Sequence, residues 1–114
     1  MCLMKQIERG AVFTIAAKGI YTGKPRPAIV VQSDELDIES VLIVPLTTET
    51  GGSRRVRIEI GPTAENGLKK LSYAMCDKIS AVPASNLKTR VGALDPQTMT
   101  HLESGLLNVL GLHP

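Results

Sequence analysis

Short apolar runs rich in β-branched residues limit most strongly the folds that this chain can adopt. Such runs cover residues 11–15, 28–31 and 41–46, and turn-forming residues such as Gly, Pro, Ser and Asp separate them. Runs of this length are typical of buried strands, because a helix usually needs about ten residues or more. The first half of the chain is therefore predicted to contain three short strands.

The segments between these runs are predicted to be loops. Residues 18–25 contain two glycines and a proline, and residues 33–40 are polar and acidic, so a loop and a surface excursion are expected there. Residues 47–53 are expected to form a turn-rich loop. Pro45 is expected at the end of the third strand or at a bulge, because proline has no N–H to donate to a sheet.

Further strands are predicted in the second half of the chain. Between residues 55 and 60, apolar and charged residues alternate, which is the period of a strand with one buried and one exposed face. Another strand is expected over residues 72–79. Shorter strands are expected around Val82 and Val91, with a polar connection over residues 83–90.

The C-terminal segment carries the clearest helix signals. Asp95 is a good N-cap, and Pro96 fits the first helical position, where its missing N–H costs nothing. The helix is predicted to run to about Leu110 and to stop at Gly111. Its apolar stripe, which would dock against the sheet, consists of Met99, Leu102, Leu106, Leu107 and Leu110. Five or six short strands followed by one helix predict a mainly β fold, a strongly bent barrel or SH3-like sheet with a C-terminal helix.

Length and composition set the outer limits of the interpretation. With 114 residues and 43% apolar content, the chain is predicted to be one compact domain spanning residues 1–114. No apolar run approaches the roughly 20 residues that span a bilayer, and residues 1–4 are too short for a signal-peptide core, so the cytoplasm is expected and a membrane is not. Cys2 and Cys76 are too few for a disulfide framework or a zinc site. Reduced thiols, no metal and no cofactor are therefore expected.

Charge alone does not indicate a function. The formal net charge is only +2, and three groups of basic residues lie at positions 24–26, 54–57 and 69–70. Each group taken alone fits an ordinary solvated face. Because the only aromatic residues are Phe13, Tyr21 and Tyr73, an extensive surface for stacking bases is not expected.

Several motifs, in matching order and spacing, resemble the MazF/PemK toxin family. They include Gly23-Lys24-Pro25-Arg26-Pro27 and Val44-Pro45-Leu46-Thr47-Thr48, and further likeness lies at residues 9–12, 66–68, 75–79 and 91–96. The likeness covers nearly the whole chain. It implies an SH3-like barrel of the MazF, PemK and CcdB toxin type, assembled as a homodimer.

The same resemblance implies a toxin that cuts single-stranded RNA without a metal. The 2′-hydroxyl of a ribose would attack the neighbouring phosphate and leave a 2′,3′-cyclic phosphate and a 5′-hydroxyl end. A cognate antitoxin would hold the toxin inactive by laying an acidic, partly disordered segment over the basic rim of its site. Operator DNA would be contacted only through the antitoxin complex.

Three residues match catalytic positions of the family. Arg26 would stabilise charge on the phosphate through its bidentate guanidinium, unless it is an ordinary surface arginine in a Pro-rich turn. Thr47 would donate a hydrogen bond to the phosphate, with Thr48 as a possible substitute, unless it only caps the loop. Asp77 would lie near the 2′-hydroxyl, although its ordinary pKa near 4 makes it a weak base. The alternative for Asp77 is an ion pair with Lys78 or Arg26.

This chain also departs from the family pattern. Residues 19–24, the loop before the Arg-Pro pair, lack the acid and the histidine that many relatives carry there, so one candidate base is missing. Met75 and Ser80 stand where PemK-like members carry arginines. Lys24 or Lys78 could compensate by position, although an ammonium lacks the bidentate fork. The expected substrate-binding residues are Lys24, Thr48, Arg55, Arg57 and Lys78.

Two other functions compete with the nuclease. A CcdB-like poison of DNA gyrase has the same architecture, but it needs a C-terminal Trp-Gly-Ile, whereas this chain has no tryptophan and ends Leu112-His113-Pro114. A noncatalytic SH3-like RNA-binding or adaptor module would bind its partner and cut nothing.

Overall fold

The computed structural model describes residues 7–16, 26–36 and 39–112. In these ranges the chain forms seven strands, two short 3-10 turns and one long helix. The strands are β1 (Ala11–Ile15), β2 (Arg26–Val30), β3 (Ser40–Thr47), β4 (Arg57–Ile60), β5 (Ser72–Met75), β6 (Ser80–Pro83) and β7 (Leu87–Ala93). The helix, α1, spans Pro96–Leu110, and the 3-10 turns span Cys76–Lys78 and Ala84–Asn86. The loop predicted over residues 18–25 lies outside the described residues.

The strands form one antiparallel sheet in the order β4-β5-β3-β2-β1-β7, and β6 pairs with β3. The predicted mainly β fold with a C-terminal helix is therefore confirmed. Residues 11–13, 28–30 and 43–46 of β1, β2 and β3 are buried on both faces, which explains the continuous apolar runs there. On one face, Val12, Ile29, Val44 and Leu46 form a core together with Leu102 of α1. The other face forms a second core with Ala11, Phe13, Ala28, Val30 and Ile43.

Three strand boundaries differ from the sequence prediction. β4 begins at Arg57 and not at residue 55, because the N–H groups of Val56 and Arg57 both donate to the carbonyl of Ser53 and close a turn. β5 ends at Met75, because residues 76–78 form a 3-10 turn before the next strand. The polar connection expected over residues 83–90 was wrong in its second half, since β7 starts at Leu87 and its polar residues are exposed.

Pro45 lies inside β3, so the expectation of a strand end or a bulge was wrong. On one side β3 pairs with β2, and on the other it pairs with β6 through residues 40–43 and with β5 from Leu46. The backbone of Leu42 faces β2, since its carbonyl accepts from the N–H of Val31, and alternation directs the backbone of Pro45 to the other side. The missing N–H therefore lies between the segment of β3 that pairs with β6 and the segment that pairs with β5.

The helix follows its sequence signals closely. Asp95 caps it by accepting a hydrogen bond from the N–H of Thr98, and Gly111 ends it with a left-handed φ of 70°. Leu102 is fully buried, but Leu110 is 56% exposed, so its place in the predicted apolar stripe was wrong. Val109 packs against the core instead. With 3.6 residues per turn, position 109 returns to the face of position 102, whereas position 110 is rotated away from it.

A compact turn before β5 packs against β7. The side-chain oxygen of Asn66 accepts from the N–H groups of Thr63 and Leu68, and its amide donates to the carbonyl of Gly61. A Cβ on Gly92 of β7 would lie 2.3 Å from the carbonyl oxygen of Glu65, so only glycine fits between these two backbones. Among the helices of the described residues, none is both long and apolar enough to cross a membrane.

Candidate active site

A row of polar side chains crosses one end of the sheet. Thr47, the last residue of β3, is paired with Tyr73 of β5, and Tyr73 is paired with Glu59 of β4. Directly paired residues of antiparallel strands share a face, so the three side chains lie on one side of the sheet. Their neighbours Leu46 and Ala74 point to the opposite side and belong to the core.

Arg26 joins this row from the other side of Thr47. It is the first residue of β2 and is exposed. β2 pairs antiparallel with β3, with Ala28 opposite Pro45, so the start of β2 and the end of β3 lie at the same end of the pair. Two of the three predicted catalytic residues, Arg26 and Thr47, are therefore the terminal residues of neighbouring strands at this end.

Thr47 makes the loop-capping hydrogen bond that was the alternative considered from the sequence. Its hydroxyl oxygen accepts a hydrogen bond from the N–H of Glu49 at 3.1 Å and so caps the start of the following loop. A hydroxyl that accepts can still donate its own hydrogen. The capping bond therefore fixes the side chain without removing the donor that a phosphate oxygen would need.

Asp77 lies in the 3-10 turn after β5 and forms a bidentate ion pair with Arg57. Arg57 donates from Nε to Oδ1 at 2.8 Å and from Nη2 to Oδ2 at 3.0 Å. These hydrogen bonds lower the pKa of the Asp77 carboxyl below its usual value of 3.8, and the charges of Arg57 and Lys78 act in the same direction. The partner of Asp77 is therefore Arg57, which the sequence analysis had not considered for this pair.

The loop that carries the second basic group is held in place by its own hydrogen bonds. Ser53 accepts from Arg55 through its hydroxyl and from Arg57 through its carbonyl. The side-chain amide of Asn108 on α1 donates to the carbonyl of Arg55 at 3.0 Å. A Cβ on Gly52 would lie 3.0 Å from Cγ of Arg57, so the backbone of this loop lies close against the arginine stem.

An open cleft of about 520 Å³ lies between this loop, β4 and α1. Its walls include Arg54, Arg55, Arg57, Tyr73 and His101. The sequence analysis did not assign Tyr73 or Glu59 to the site, because only the strand register shows that they extend the row from Thr47. His101 is exposed on α1 and faces this cleft.

The remaining predicted substrate-binding residues are scattered around the same end of the sheet. Thr48 and Arg55 are exposed in the loop after β3, and Lys78 is exposed in the turn beside Asp77. Lys24 lies outside the described residues. The structure brings Arg55 and Arg57 into one cleft and places Lys78 next to the ion pair.

Cys76 is a core residue. It is fully buried, and burial raises the pKa of its thiol to about 11, so the thiol stays protonated at neutral pH. Within residues 7–16, 26–36 and 39–112, no three His, Cys, Asp or Glu side chains are grouped as a metal-binding site would require.

An arginine and a threonine at the ends of neighbouring strands, with an ion-paired arginine two strands away on the same face as the threonine, form a site suited to a phosphate group on a small antiparallel sheet. The sequence model of the PemK-like, MazF-like toxins of type II toxin-antitoxin systems matches residues 8–110. The chain belongs to this family, as its motifs had predicted. It is 43% identical over 107 residues to the probable endoribonuclease MazF of Mycolicibacterium smegmatis, across 93% of this chain and 98% of that protein.

Solved structures with the same fold include relatives from two groups of bacteria. The Mycobacterium tuberculosis toxin MazF-mt6 matches with a TM-score of 0.77 and 21% identity, over 91% of this chain and 99% of that chain. A mycobacterial endoribonuclease in complex with its cognate antitoxin matches with a TM-score of 0.76 and 25% identity, over 94% and 97% of the two chains. A MazE–MazF complex from Deinococcus radiodurans matches with a TM-score of 0.72 and 16% identity, over 93% and 97%.

Proposed function

We propose that this chain is the toxin of a type II toxin-antitoxin pair and an endoribonuclease that cuts single-stranded RNA. The observation that carries the proposal is the antiparallel pairing of β2 with β3, since β2 begins at Arg26 at the same end of the pair at which β3 ends with Thr47. The 43% identity to a probable endoribonuclease MazF supports the same activity. The activity is assigned to residues 1–114 as a single toxin domain.

The proposed reaction needs no metal. The 2′-hydroxyl of a ribose attacks the adjoining phosphate, and the 5′ oxygen leaves, which gives a 2′,3′-cyclic phosphate and a 5′-hydroxyl end. Arg26 binds the non-bridging phosphate oxygens as negative charge builds on them. Because the guanidinium has a pKa above about 12, it is better suited to stabilise this charge than to release a proton. Thr47 donates its hydroxyl hydrogen to the same phosphate.

Asp77 is the third proposed catalytic residue, placed beside the ribose of the scissile bond. Its two oxygens accept hydrogen bonds from Arg57, and its lowered pKa makes it a weak base at neutral pH. Its contribution therefore depends on Arg57, to which both of its oxygens are bound. Lys24, Thr48, Arg55 and Lys78 are proposed to contact the RNA around this centre.

The proposed partners follow from the family and from the charge of the site. A homodimer is proposed, together with a cognate antitoxin whose acidic segment covers the arginine-lined cleft. Operator DNA would be bound only through the toxin-antitoxin complex. The cytoplasm, where RNA and the antitoxin are found together, is the proposed place of action.

The central experiment compares wild type with Arg26→Ala on a mixed-sequence single-stranded RNA in the presence of a chelator. Removing one preorganised donor to the transition state is expected to slow cleavage roughly 100- to 1000-fold. Arg90→Ala is the matched control. Arg90 lies on β7, forms an ion pair with Glu8 and is not part of the proposed site. The Arg90→Ala variant should cleave at the wild-type rate.

Sequencing of the RNA ends would test the chemistry at the same time. Ends other than a cyclic phosphate and a 5′-hydroxyl would contradict the proposed attack by the 2′-hydroxyl. Wild-type protein that binds the RNA and never cuts it would instead favour the noncatalytic RNA-binding module. Circular dichroism of each variant would show whether a loss of activity reflects a loss of fold.

A further inference from the structure

The Arg57–Asp77 ion pair lies at the proposed RNA site but on a strand that the catalytic motifs do not include. We propose that Arg57 is a second phosphate-binding guanidinium of this site and that Asp77 acts by orienting it. This inference rests on the proposed function and deepens it. It makes Arg57 a catalytic residue and changes the proposed role of Asp77 from catalytic to positioning.

The geometry of the pair fixes which edge of the guanidinium faces Asp77. Asp77 accepts from Nε and Nη2, which form one edge of the planar group, at 2.8 and 3.0 Å. Two parallel hydrogen bonds hold the plane against rotation. The edge that carries Nη1 is therefore directed away from the carboxylate, and an arginine has donors on that edge as well.

The register places Arg57 on the same face as the proposed catalytic row. Arg57 is paired with Met75, two residues along β5 from Tyr73, which is the partner of Thr47. From strand spacing and rise, the Cα atoms of Arg57 and Thr47 are about 12 Å apart. One nucleotide and an arginine side chain can bridge such a distance, so Arg57 can reach the phosphate that Arg26 and Thr47 bind, or its neighbour.

Burial supports a fixed orientation of the arginine. The Arg57 side chain is only 20% exposed, whereas Asp77 is 37% exposed. Its stem lies against Gly52, and the start of its strand is tied to Ser53 by a backbone hydrogen bond of 2.8 Å. A side chain restricted in this way loses little further freedom when it binds a phosphate.

The neighbouring strand also explains how the chain tolerates Met75. The resemblance leads one to expect an arginine at this position, but Met75 is 4% exposed and apolar. Because Arg57 is its direct cross-strand partner, a guanidinium reaches the same part of the site from β4.

The ion pair as a whole is neutral, so Arg57 acts by presenting oriented hydrogen-bond donors and not by adding net charge. Arg54, Arg55 and Lys78 supply net positive charge nearby, against Glu59. A lysine at position 57 would keep the charge but lose the planar fork that both Asp77 and a phosphate use. Arg57→Lys should therefore behave more like Arg57→Ala than like wild type.

The first test is a double-mutant cycle on single-turnover RNA cleavage. Arg57→Ala is expected to slow cleavage about 30-fold or more, and Asp77→Asn about tenfold, because an amide can still accept one of the two hydrogen bonds. If Asp77 acts only through Arg57, Asp77→Asn should have no further effect in the Arg57→Ala background. Independent, multiplicative effects of the two substitutions would overturn the inference.

The pH profile gives an independent test of the orienting role. The lowered pKa of Asp77 keeps its carboxylate ionised from about pH 5 to pH 9, so Asp77→Asn should lower the rate by the same factor throughout this range. A pH-dependent ratio of the two rates within this range would contradict the inference. If the Arg57→Lys variant cleaved RNA at the wild-type rate, this would also overturn the requirement for the planar guanidinium fork.

A binding measurement tests Arg57 even if no cleavage is found. The probe is a mixed-sequence 2′-O-methyl RNA, which cannot be cut by attack of its own ribose. If Arg57→Ala removes one phosphate contact, the slope of log K against the logarithm of the salt concentration should become less steep by about 0.7. Arg90→Ala should leave this slope unchanged. An unchanged slope for Arg57→Ala would contradict the phosphate contact. Absence of cleavage by wild type would count against the proposed function alone.

Discussion

Gly105→Ala tests how tightly α1 is seated on the turn that carries Asp77. Gly105 is buried, and a Cβ at this position would lie 2.8 Å from Sγ of Cys76 and 3.1 Å from Cδ1 of Ile58. Carbon atoms in contact are normally about 3.5 to 4.0 Å apart, so the helix or the turn would have to move by roughly 0.5 to 1 Å. The added methyl group is therefore an overpacking substitution.

Two opposing contributions set the size of the effect. Overpacking a core costs about 1 to 3 kcal/mol, and replacing glycine by alanine within a helix returns about 1 kcal/mol. The upper part of the overpacking range applies, because Cys76 is fully buried and its backbone is held in a 3-10 turn. The free energy of unfolding should fall by about 1 to 2 kcal/mol. For 114 residues this corresponds to a Tm lower by about 4 to 8 °C.

The assay is urea and thermal unfolding of four proteins: wild type, Gly105→Ala, Cys76→Ala and the double variant. Removing Sγ removes the atom that the new methyl group meets, so Gly105→Ala should be less destabilising in the Cys76→Ala background by about 1 kcal/mol. If Gly105→Ala stabilises the wild-type chain, or has the same effect in both backgrounds, the close contact with Cys76 is not what controls this position. In the wild-type background the displaced turn should also slow RNA cleavage, because Asp77 directly follows Cys76.

Two further substitutions test the packing of α1 and of β7. Leu102→Ala should lower the free energy of unfolding by about 3 kcal/mol, because Leu102 is fully buried. Leu110 is 56% exposed, so Leu110→Ala should change this free energy by less than about 0.5 kcal/mol. Equal effects of the two substitutions in urea unfolding would contradict the observed helix face. Gly92→Ala places a methyl group 2.3 Å from the backbone oxygen of Glu65, which cannot rotate away, so little folded protein is expected by circular dichroism. Gly61→Ala, which meets nothing within 4 Å, is the matched control, and two equally stable variants would refute the argument.

The helix and the first strands could be predicted from the sequence because their signals are local. Asp95, Pro96 and Gly111 each act through their own backbone, and the observed helix ends where these residues place its ends. The apolar run over residues 11–15 similarly coincides with β1. The apolar periodicity did not predict the exposure of Leu110, because an offset of one residue decides which face of a helix a side chain occupies.

The candidate site was only partly predictable because it depends on strand register. Arg26, Thr47 and Asp77 came from motifs, and their mutual positions could not be known without the sheet. Arg57 and Asp77 are 20 residues apart in sequence and meet only because β4 pairs with β5 and a 3-10 turn follows Met75. That turn was not predicted, because residues 72–79 were interpreted as one strand although Asp77 and Lys78 interrupt the apolar residues.

The proline inside β3 has a consequence for what the sheet can tolerate at its centre. Any other residue at position 45 would introduce a buried amide hydrogen between the segment of β3 that pairs with β6 and the segment that pairs with β5. A buried donor that finds no acceptor costs about 1 to 3 kcal/mol, and proline avoids this cost because it has no N–H. Proline at this position is thus compatible with the change of pairing partner that places Thr47 beside β5.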